Sequence, residues 1–301
     1  MTRTLTVAVA QHAAGVYDKQ ANLERSLEAI ADAHRQGAQL VLLPELHTTP
    51  YFCQSADPDR FDLAESIPGP GTETLQRAAR EHDIAIVGSI FERRNAGLYH
   101  NTAVVIDRNG ELVGRYRKMH IPDDPGYYEK FYFTPGDLGF KPIQLGDIKL
   151  GVLVCWDQWY PEAARLMALA GAEVLIYPSA IGWDPADGSD EQERQRQAWI
   201  TVQRGHAVAN NLPLMSSNRI GFEAAPGATD TDSQHGAQFW GSSFICGPQG
   251  EILQQASVQN AEVIVATLDL ERCERLRRLW PYLRDRRIDA YADILKRSID
   301  D

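Results

Sequence analysis

The chain has 301 residues, 44% of them hydrophobic, which is enough for a large buried core. Acidic residues outnumber basic ones 41 to 30, a formal charge of −11, and this argues against general nucleic-acid binding, which wants a basic face. No run reaches the roughly 18 apolar residues of a membrane span, and the opening residues lack a secretion signal's long apolar segment, so no membrane partner is expected.

Taken in order, residues 5–11 read as a strand, and 19–36 as a helix with Asp18 as N-cap and Leu23, Leu27, Ile30 and Ala31 on one face. A strand over 39–43 ends at Pro44, which cannot donate to a ladder. After a long loop, Gly69-Pro70-Gly71-Thr72 reads as the entry to a helix over 72–82. Strands follow over 84–91, 99–107 and 111–118, the last two joined through Arg108-Asn109-Gly110, a hairpin signal. Residues 119–142 form a long loop rich in Pro, Asp and aromatics, and loops of that length usually line a site. The apolar run 150–154 reads as a buried strand, followed by a polar, aromatic turn from Cys155 to Tyr160 and a helix over 161–170 opened by Pro161. Next come a strand over 173–177, a polar loop through Asp190, and a helix in which Trp199, Val202, His206 and Ala209 keep helical spacing. Strands over 212–217, 238–246, 251–255 and 263–269 close the chain, with a turn at Gly247-Pro248-Gln249-Gly250. Mixed strands with helices between them predict an α/β fold of two sheets with helices outside, a four-layer α-β-β-α sandwich. No linker, repeat or low-complexity stretch divides residues 1–301, which read as one domain with its core over about 4–289.

Cys155 is the most informative residue. A lone cysteine is more often a buried, inert thiol, but this one stands at a strand–turn–helix junction that exposes the sulfur at the strand end. Backbone N–H groups after such a turn can point at a developing oxyanion. Two further strands end in chemistry: 39–43 leads through Pro44 to Glu45, and 111–118 ends in Lys118. Either residue alone reads as an ordinary loop acid or a solvated lysine. Together, a carboxylate, a lysine and a cysteine at the C-terminal ends of three strands form a constellation at the edge where open α/β folds gather their chemistry.

These segments resemble the Glu-Lys-Cys signature of the nitrilase superfamily of carbon–nitrogen hydrolases, and the resemblance runs from about Thr4 to Asp289. It tightens over IPDDPGYYEKFYFTPGDLGF (121–140), GVLVCWDQWYPEAARLMALAGAEVLIYPSAIGWDP (151–185) and RGHAVANNLPLMSSNRIG (204–221). The resemblance implies the four-layer sandwich, a homodimer core that extends it across two subunits within a higher homo-oligomer, and a C-terminal tail packed on the partner. It assigns Cys155 as nucleophile, Glu45 as base and Lys118 as stabiliser of the oxyanion. Glu129 matches a second glutamate beside the lysine and near the attacking water, and either glutamate could activate that water. The implied reaction turns N-carbamoylputrescine and water into putrescine, carbon dioxide and ammonia through a thioester-type intermediate, within polyamine synthesis from agmatine. The alternatives are a related amidase or ureidopropionase, and a fold that has lost catalysis and works through partner contacts.

A thiol of ordinary pKa near 8.5 needs a base or a positive neighbour to attack, and Glu45 suits that role if desolvation raises its own pKa. His120, two residues beyond Lys118, is expected on the same strand face, orienting the lysine or a carboxylate, with a structural role as the alternative. A cationic ureido substrate needs hydrogen bonds near Cys155 and a carboxylate or aromatic face some ångströms away. Trp156 beside the candidate nucleophile, His120, and Trp183, Asp184 and Asp187 after the 173–177 strand are the candidates for substrate binding, with Asp190 and Glu191 as alternatives. A solvated acidic loop leading into a helix N-terminus is the competing reading of that stretch. The eight histidines show no metal-ligand spacing and no dinucleotide or phosphate-binding glycine pattern occurs, so neither metal nor other cofactor is expected. Cys53, Cys155, Cys246 and Cys273 lie far apart without zinc or disulfide spacing, which suggests a reducing cytoplasm.

Overall fold

The computed structural model describes residues 3–15, 18–225 and 235–300. Two six-stranded sheets form its centre. The first runs β15 (Glu262–Asp269), β1 (Thr4–Gln11), β2 (Leu40–Leu42), β3 (Ala85–Asn95), β4 (Leu98–Ile106), β5 (Leu112–Arg117). The second runs β14 (Ile252–Gln255), β13 (Phe244–Cys246), β10 (Leu214–Ser217), β8 (Val174–Pro178), β7 (Ile148–Val152), β6 (Ile143–Leu145).

Alternation along the strands builds the layers. Val7, Val9, Leu40 and Leu42 join Val152, Leu175 and Leu214 in one buried cluster between the sheets. Their neighbours Ala8, Ala10, Val41 and Leu43 turn outward onto α1 (Lys19–Arg35) and α2 (Pro70–His82), meeting Leu23, Ile30, Leu75 and Ala79. On the second sheet, α4 (Pro161–Leu169) and α5 (Ser189–Asn210) pack Met167, Trp199 and Ala207 against the strands. The predicted four-layer α-β-β-α order is the one observed.

Direction decides where chemistry can gather. β1, β2 and β3 are mutually parallel, as are β7, β8 and β10. β5 lies antiparallel to β4, itself antiparallel to β3, so β5 ends at the same edge as β2. The chain therefore delivers Glu45 and Lys118 from one sheet, and Cys155 from the other, to one end of the sandwich.

Several elements differ from the sequence reading. The single strand expected over 238–246 is two, β12 (Gly236–Trp240) and β13, because Gly241 and Ser242 take φ of +50° and +56° and turn the chain out of its first sheet. β12 pairs instead with β9 (Gly182–Trp183) and β11 (Ile220–Ala224) in a small third sheet that the sequence did not suggest. β5 stops at Arg117, one residue short of Lys118. The 119–142 loop carries a short helix, α3 (Glu129–Tyr132), and after β15 the chain forms α6 (Leu270–Leu279), which was not read.

Candidate active site

The Cys155 turn is held by an aspartate. Cys155 follows β7 with φ +41°, a left-handed conformation that a non-glycine residue adopts only where its surroundings impose it. Asp157, fully buried, accepts the Val154 N–H (2.9 Å) and the Tyr116 hydroxyl (2.8 Å) on Oδ2, and the His120 N–H (3.0 Å) and ring Nδ1 (2.7 Å) on Oδ1. One carboxylate thus ties the strand end, the turn and the start of the 119–128 loop together. The sulfur is less exposed than the sequence suggested, with Cys155 only 4% accessible, yet it lines a cavity of about 410 Å³. Burial first, then the nearby Glu45 charge, pushes the thiol well above its ordinary pKa, while Lys118 and the Ala180 N–H pull the other way.

Beside it lies a buried trio. Lys118 Nζ donates to Glu45 Oε1 at 2.8 Å and to Glu129 Oε2 at 2.7 Å, and all three side chains are sealed from solvent. Asn101 adds a 2.6 Å bond to Glu45 Oε1, and Tyr51 donates its hydroxyl to Glu129 Oε1 at 2.7 Å. Glu45 Oε2 is buried without a hydrogen-bond partner among the described residues. Burial alone would lower the Lys118 ammonium, but the two carboxylates outweigh it and hold its pKa well above the usual value. One cation between two carboxylates leaves a surplus of negative charge. Burial chiefly, against the pull of Lys118 and with repulsion from Glu45, raises Glu129 to about 7.

That shift fixes a sign for stability. A carboxyl whose folded pKa lies above its unfolded value loses protons later in the folded state, so stability falls as pH rises from the unfolded value toward 7. Glu129→Gln removes this dependence. Its stability relative to native is expected to be higher at about pH 7.5 than at about pH 5, measured by urea titration at both. An equal difference at the two pH values would contradict it.

Among the described residues, the cavity wall carries Asp124, Glu129, Asp184 and Asp187 and no lysine or arginine. Tyr127, Trp156, Trp159 and Trp240 supply its aromatic faces. Of the candidates read from sequence, the structure brings Glu45, Lys118 and Glu129 into direct contact, and sets Cys155, Trp156, Asp184 and Asp187 around the cavity with Glu129. Two land elsewhere. His120 does not share a strand face with Lys118, because β5 has already ended; it bonds Asp157 and stacks on Tyr160 with centroids 3.8 Å apart. Trp183 sits in the two-residue β9, where alternation sends Gly182 and Asp184 to the cavity and Trp183 away from it. Its indole donates to the Gln192 carbonyl at 2.6 Å, and its ring lines a separate cavity with Pro185 and Phe222. Asp190 and Glu191 lie in the first turn of α5, where Glu191 pairs with Arg194.

Asn101, Tyr51 and Asp124 carried no sequence signal, standing inside a strand or in irregular loops. Asp157 could have been found, since an acid two residues after a nucleophile in a tight turn is placed to bond that turn's own backbone. Among the described residues, no group of three or more His, Cys, Asp or Glu is arranged to hold a metal ion.

A sealed carboxylate–lysine–carboxylate trio beside a thiol on a left-handed turn is equipment for acyl transfer through sulfur. The chain belongs to the carbon–nitrogen hydrolase family: the family profile described as "Carbon-nitrogen hydrolase" matches residues 6–278. It is a hydrolase of the amidase kind. It is 43% identical over 298 residues to the N-carbamoylputrescine amidase of Solanum lycopersicum, covering 97% of this chain and 95% of the relative. A citrullinase of Francisella tularensis is 40% identical over 278 residues, covering 92% and 93%. The crystal structure of a carbon–nitrogen hydrolase from Helicobacter pylori G27 superposes with a TM-score of 0.94 at 50% identity, covering 99% of this chain and all of that one.

Proposed function

We propose that the protein hydrolyses N-carbamoylputrescine to putrescine, carbon dioxide and ammonia, with Cys155 as nucleophile, in polyamine synthesis from agmatine. The observation that carries the substrate is the cavity wall: three acids besides Glu129, aromatic faces and, among the described residues, no basic side chain. Such a wall favours a neutral ureido group at the sulfur and an ammonium further out. Trp156 is assigned to the ureido end, and Asp184 and Asp187 to the ammonium.

The chemistry follows from the trio. Glu45 takes the thiol proton as sulfur bonds to the carbamoyl carbon, and the carbonyl electron pair moves onto oxygen. Lys118 and the backbone N–H after Cys155 stabilise that oxyanion, each such donor contributing about 3–4 kcal/mol in the transition state. Collapse expels one protonated nitrogen and leaves the carbonyl on sulfur; water, activated by Glu45 or Glu129, then releases the rest and restores the thiol. The sum consumes one water and yields one diamine, one carbon dioxide and one ammonia.

We also infer that residues 1–301 act as one domain, in a homodimer core within a larger homo-oligomer. The exposed tail supports it: Leu279, Ile288, Ile294, Leu295 and Ile299 hold apolar side chains toward solvent, as an unpaired interface would. The cytoplasm is the proposed compartment, in keeping with four free cysteines.

The selectivity experiment decides the substrate. Pairing a substrate ammonium in a desolvated site is worth roughly 2–4 kcal/mol, so N-carbamoylputrescine should exceed N-pentylurea, its isostere without the amine, by about 30- to 1,000-fold in kcat/KM. Citrulline, favoured by the Francisella relative's name, carries a carboxylate that would face an acidic wall with no basic partner and should fall well behind. Asp184→Asn or Asp187→Asn should remove most of the preference while sparing turnover of the neutral analogue. Equal rates for the two ureas in the native enzyme would remove the diamine reading and promote a general amidase.

A further inference from the structure

Arg219 stands in the two-residue link between β10 and β11, fully buried, and among the described residues its guanidinium hydrogen bonds go to Glu45, Leu46 and Glu223, of which the cavity lining contains none. Its guanidinium donates from Nε and Nη2 to the Glu45 carbonyl (3.1 and 3.0 Å) and from Nη2 to the Leu46 carbonyl (2.7 Å). Leu46 holds φ +49°, so the turn that aims Glu45 is itself in a conformation that needs support. The remaining amine, Nη1, donates to Glu223 Oε1 at 2.9 Å, and Glu223 Oε2 accepts the Tyr51 N–H at 2.6 Å. Tyr51 then places its hydroxyl on Glu129. Phe239 packs under the guanidinium and edge-on to Tyr51, closing the group from behind.

We propose that Arg219 is the positioning residue that sets the two glutamates against each other: it clamps the Glu45–Leu46 turn directly and reaches Glu129 through Glu223 and Tyr51. The proposal rests on the catalytic roles given above to Glu45 and Glu129. The planar fork matters as much as the charge. Three of its bonds go to two adjacent carbonyls while a fourth goes to a carboxylate on the far side, a pattern that the single ammonium of lysine cannot reproduce. Lys118 ties Glu45 and Glu129 together at their carboxyl ends. Arg219 ties the backbone from which Glu45 projects and, through Glu223 and Tyr51, the other carboxyl oxygen of Glu129. Displacing either carboxylate by a fraction of an ångström would uncouple proton transfer from attack while leaving the cavity, and therefore substrate binding, in place.

The test compares Arg219→Lys and Glu223→Gln, alone and in a Glu45→Gln background. One readout is kcat and KM on an amide that the native enzyme turns over. The other is the rate of Cys155 alkylation by iodoacetamide, located by mass spectrometry, which depends on no substrate. Arg219→Lys is expected to lower kcat by about 30- to 300-fold with KM within about threefold, and to slow alkylation by about tenfold or more. Glu223→Gln, which keeps shape and loses charge, should lower kcat by about 5- to 20-fold and carries the test if Arg219→Lys fails to fold. In the Glu45→Gln background Arg219→Lys should slow alkylation no further, because the clamp acts through Glu45. The positioning role is overturned if the folded single variants keep kcat per alkylatable Cys155 within about twofold of native. It is equally overturned if the loss in Arg219→Lys multiplies undiminished on top of Glu45→Gln. Failure of the native protein to hydrolyse any amide would count against the proposed function, while the alkylation arm would still decide Arg219.

Discussion

Cys155→Ala is expected to abolish ammonia release, with a loss of at least about 10⁴-fold in kcat, since removing a nucleophile leaves only binding and oxyanion contacts to act. Cys155→Ser should fare little better. Glu45 can relay a proton from a thiol, but an alcohol of far higher pKa at the same place would stay protonated through the attack. The fold should survive both changes. The left-handed φ at residue 155 is imposed by the Asp157 bonds to the turn, which neither substitution touches, and Ala or Ser removes or exchanges a single heavy atom beside an existing cavity. A melting temperature within a few degrees of native, together with lost turnover, is the expected pair of results. More than a few percent of native activity in either variant would sink a mechanism through sulfur.

The parts legible in the sequence share a physical reason. Alternating apolar residues in β1 and β2 had to face two different layers, and Val7 and Ala8 do so, entering separate cores. The Cys155 junction was readable because a short apolar run, a polar turn and a helix-opening proline leave few other geometries. Glu45 and Lys118 were readable only together with Cys155, as three chemically capable side chains at the ends of three strands that the fold class brings to one edge.

What stayed hidden depends on contacts between distant segments. Asn101 lies in mid-strand, and nothing local marks it as a partner for a carboxylate 56 residues away. Tyr51 and Glu129 meet across 78 residues, and Arg219 reaches the Glu45 carbonyl across 174. Periodicity carries no information on such pairs. The break at Gly241 and Ser242 was missed because Phe239-Trp240 and Phe244-Ile245 were joined as one strand across Gly241-Ser242-Ser243, where the chain leaves one sheet for another. Trp183 was placed in the site by proximity in sequence, whereas the two-residue alternation of β9, visible only once its pairing with β12 is known, turns it away.

The two buried glutamates can be told apart by which oxygen is free. Both oxygens of Glu129 are engaged, one by the Tyr51 hydroxyl and one by Lys118. Glu45 spends one oxygen on Lys118 and Asn101 and keeps Oε2 unpartnered, so it is the better acceptor for a proton leaving sulfur. Glu45→Gln presents an amide that cannot take that proton, and formation of any covalent adduct should slow by about 10³-fold or more, the upper part of the range for a lost general base. Glu129→Gln keeps a carbonyl oxygen able to accept from Tyr51 or Lys118 but loses the charge that helps to hold the ammonium. Its turnover should drop by about 10- to 100-fold, with acylation largely surviving and deacylation slowed. Rapid-quench mass spectrometry separates the cases: Glu129→Gln should accumulate a carbonyl adduct on Cys155, and Glu45→Gln should show none on the same timescale. An adduct forming at the native rate in Glu45→Gln would reverse the two roles. It would require the proton to leave through Glu129, whose pKa near 7 would then be the property that suits it to the task.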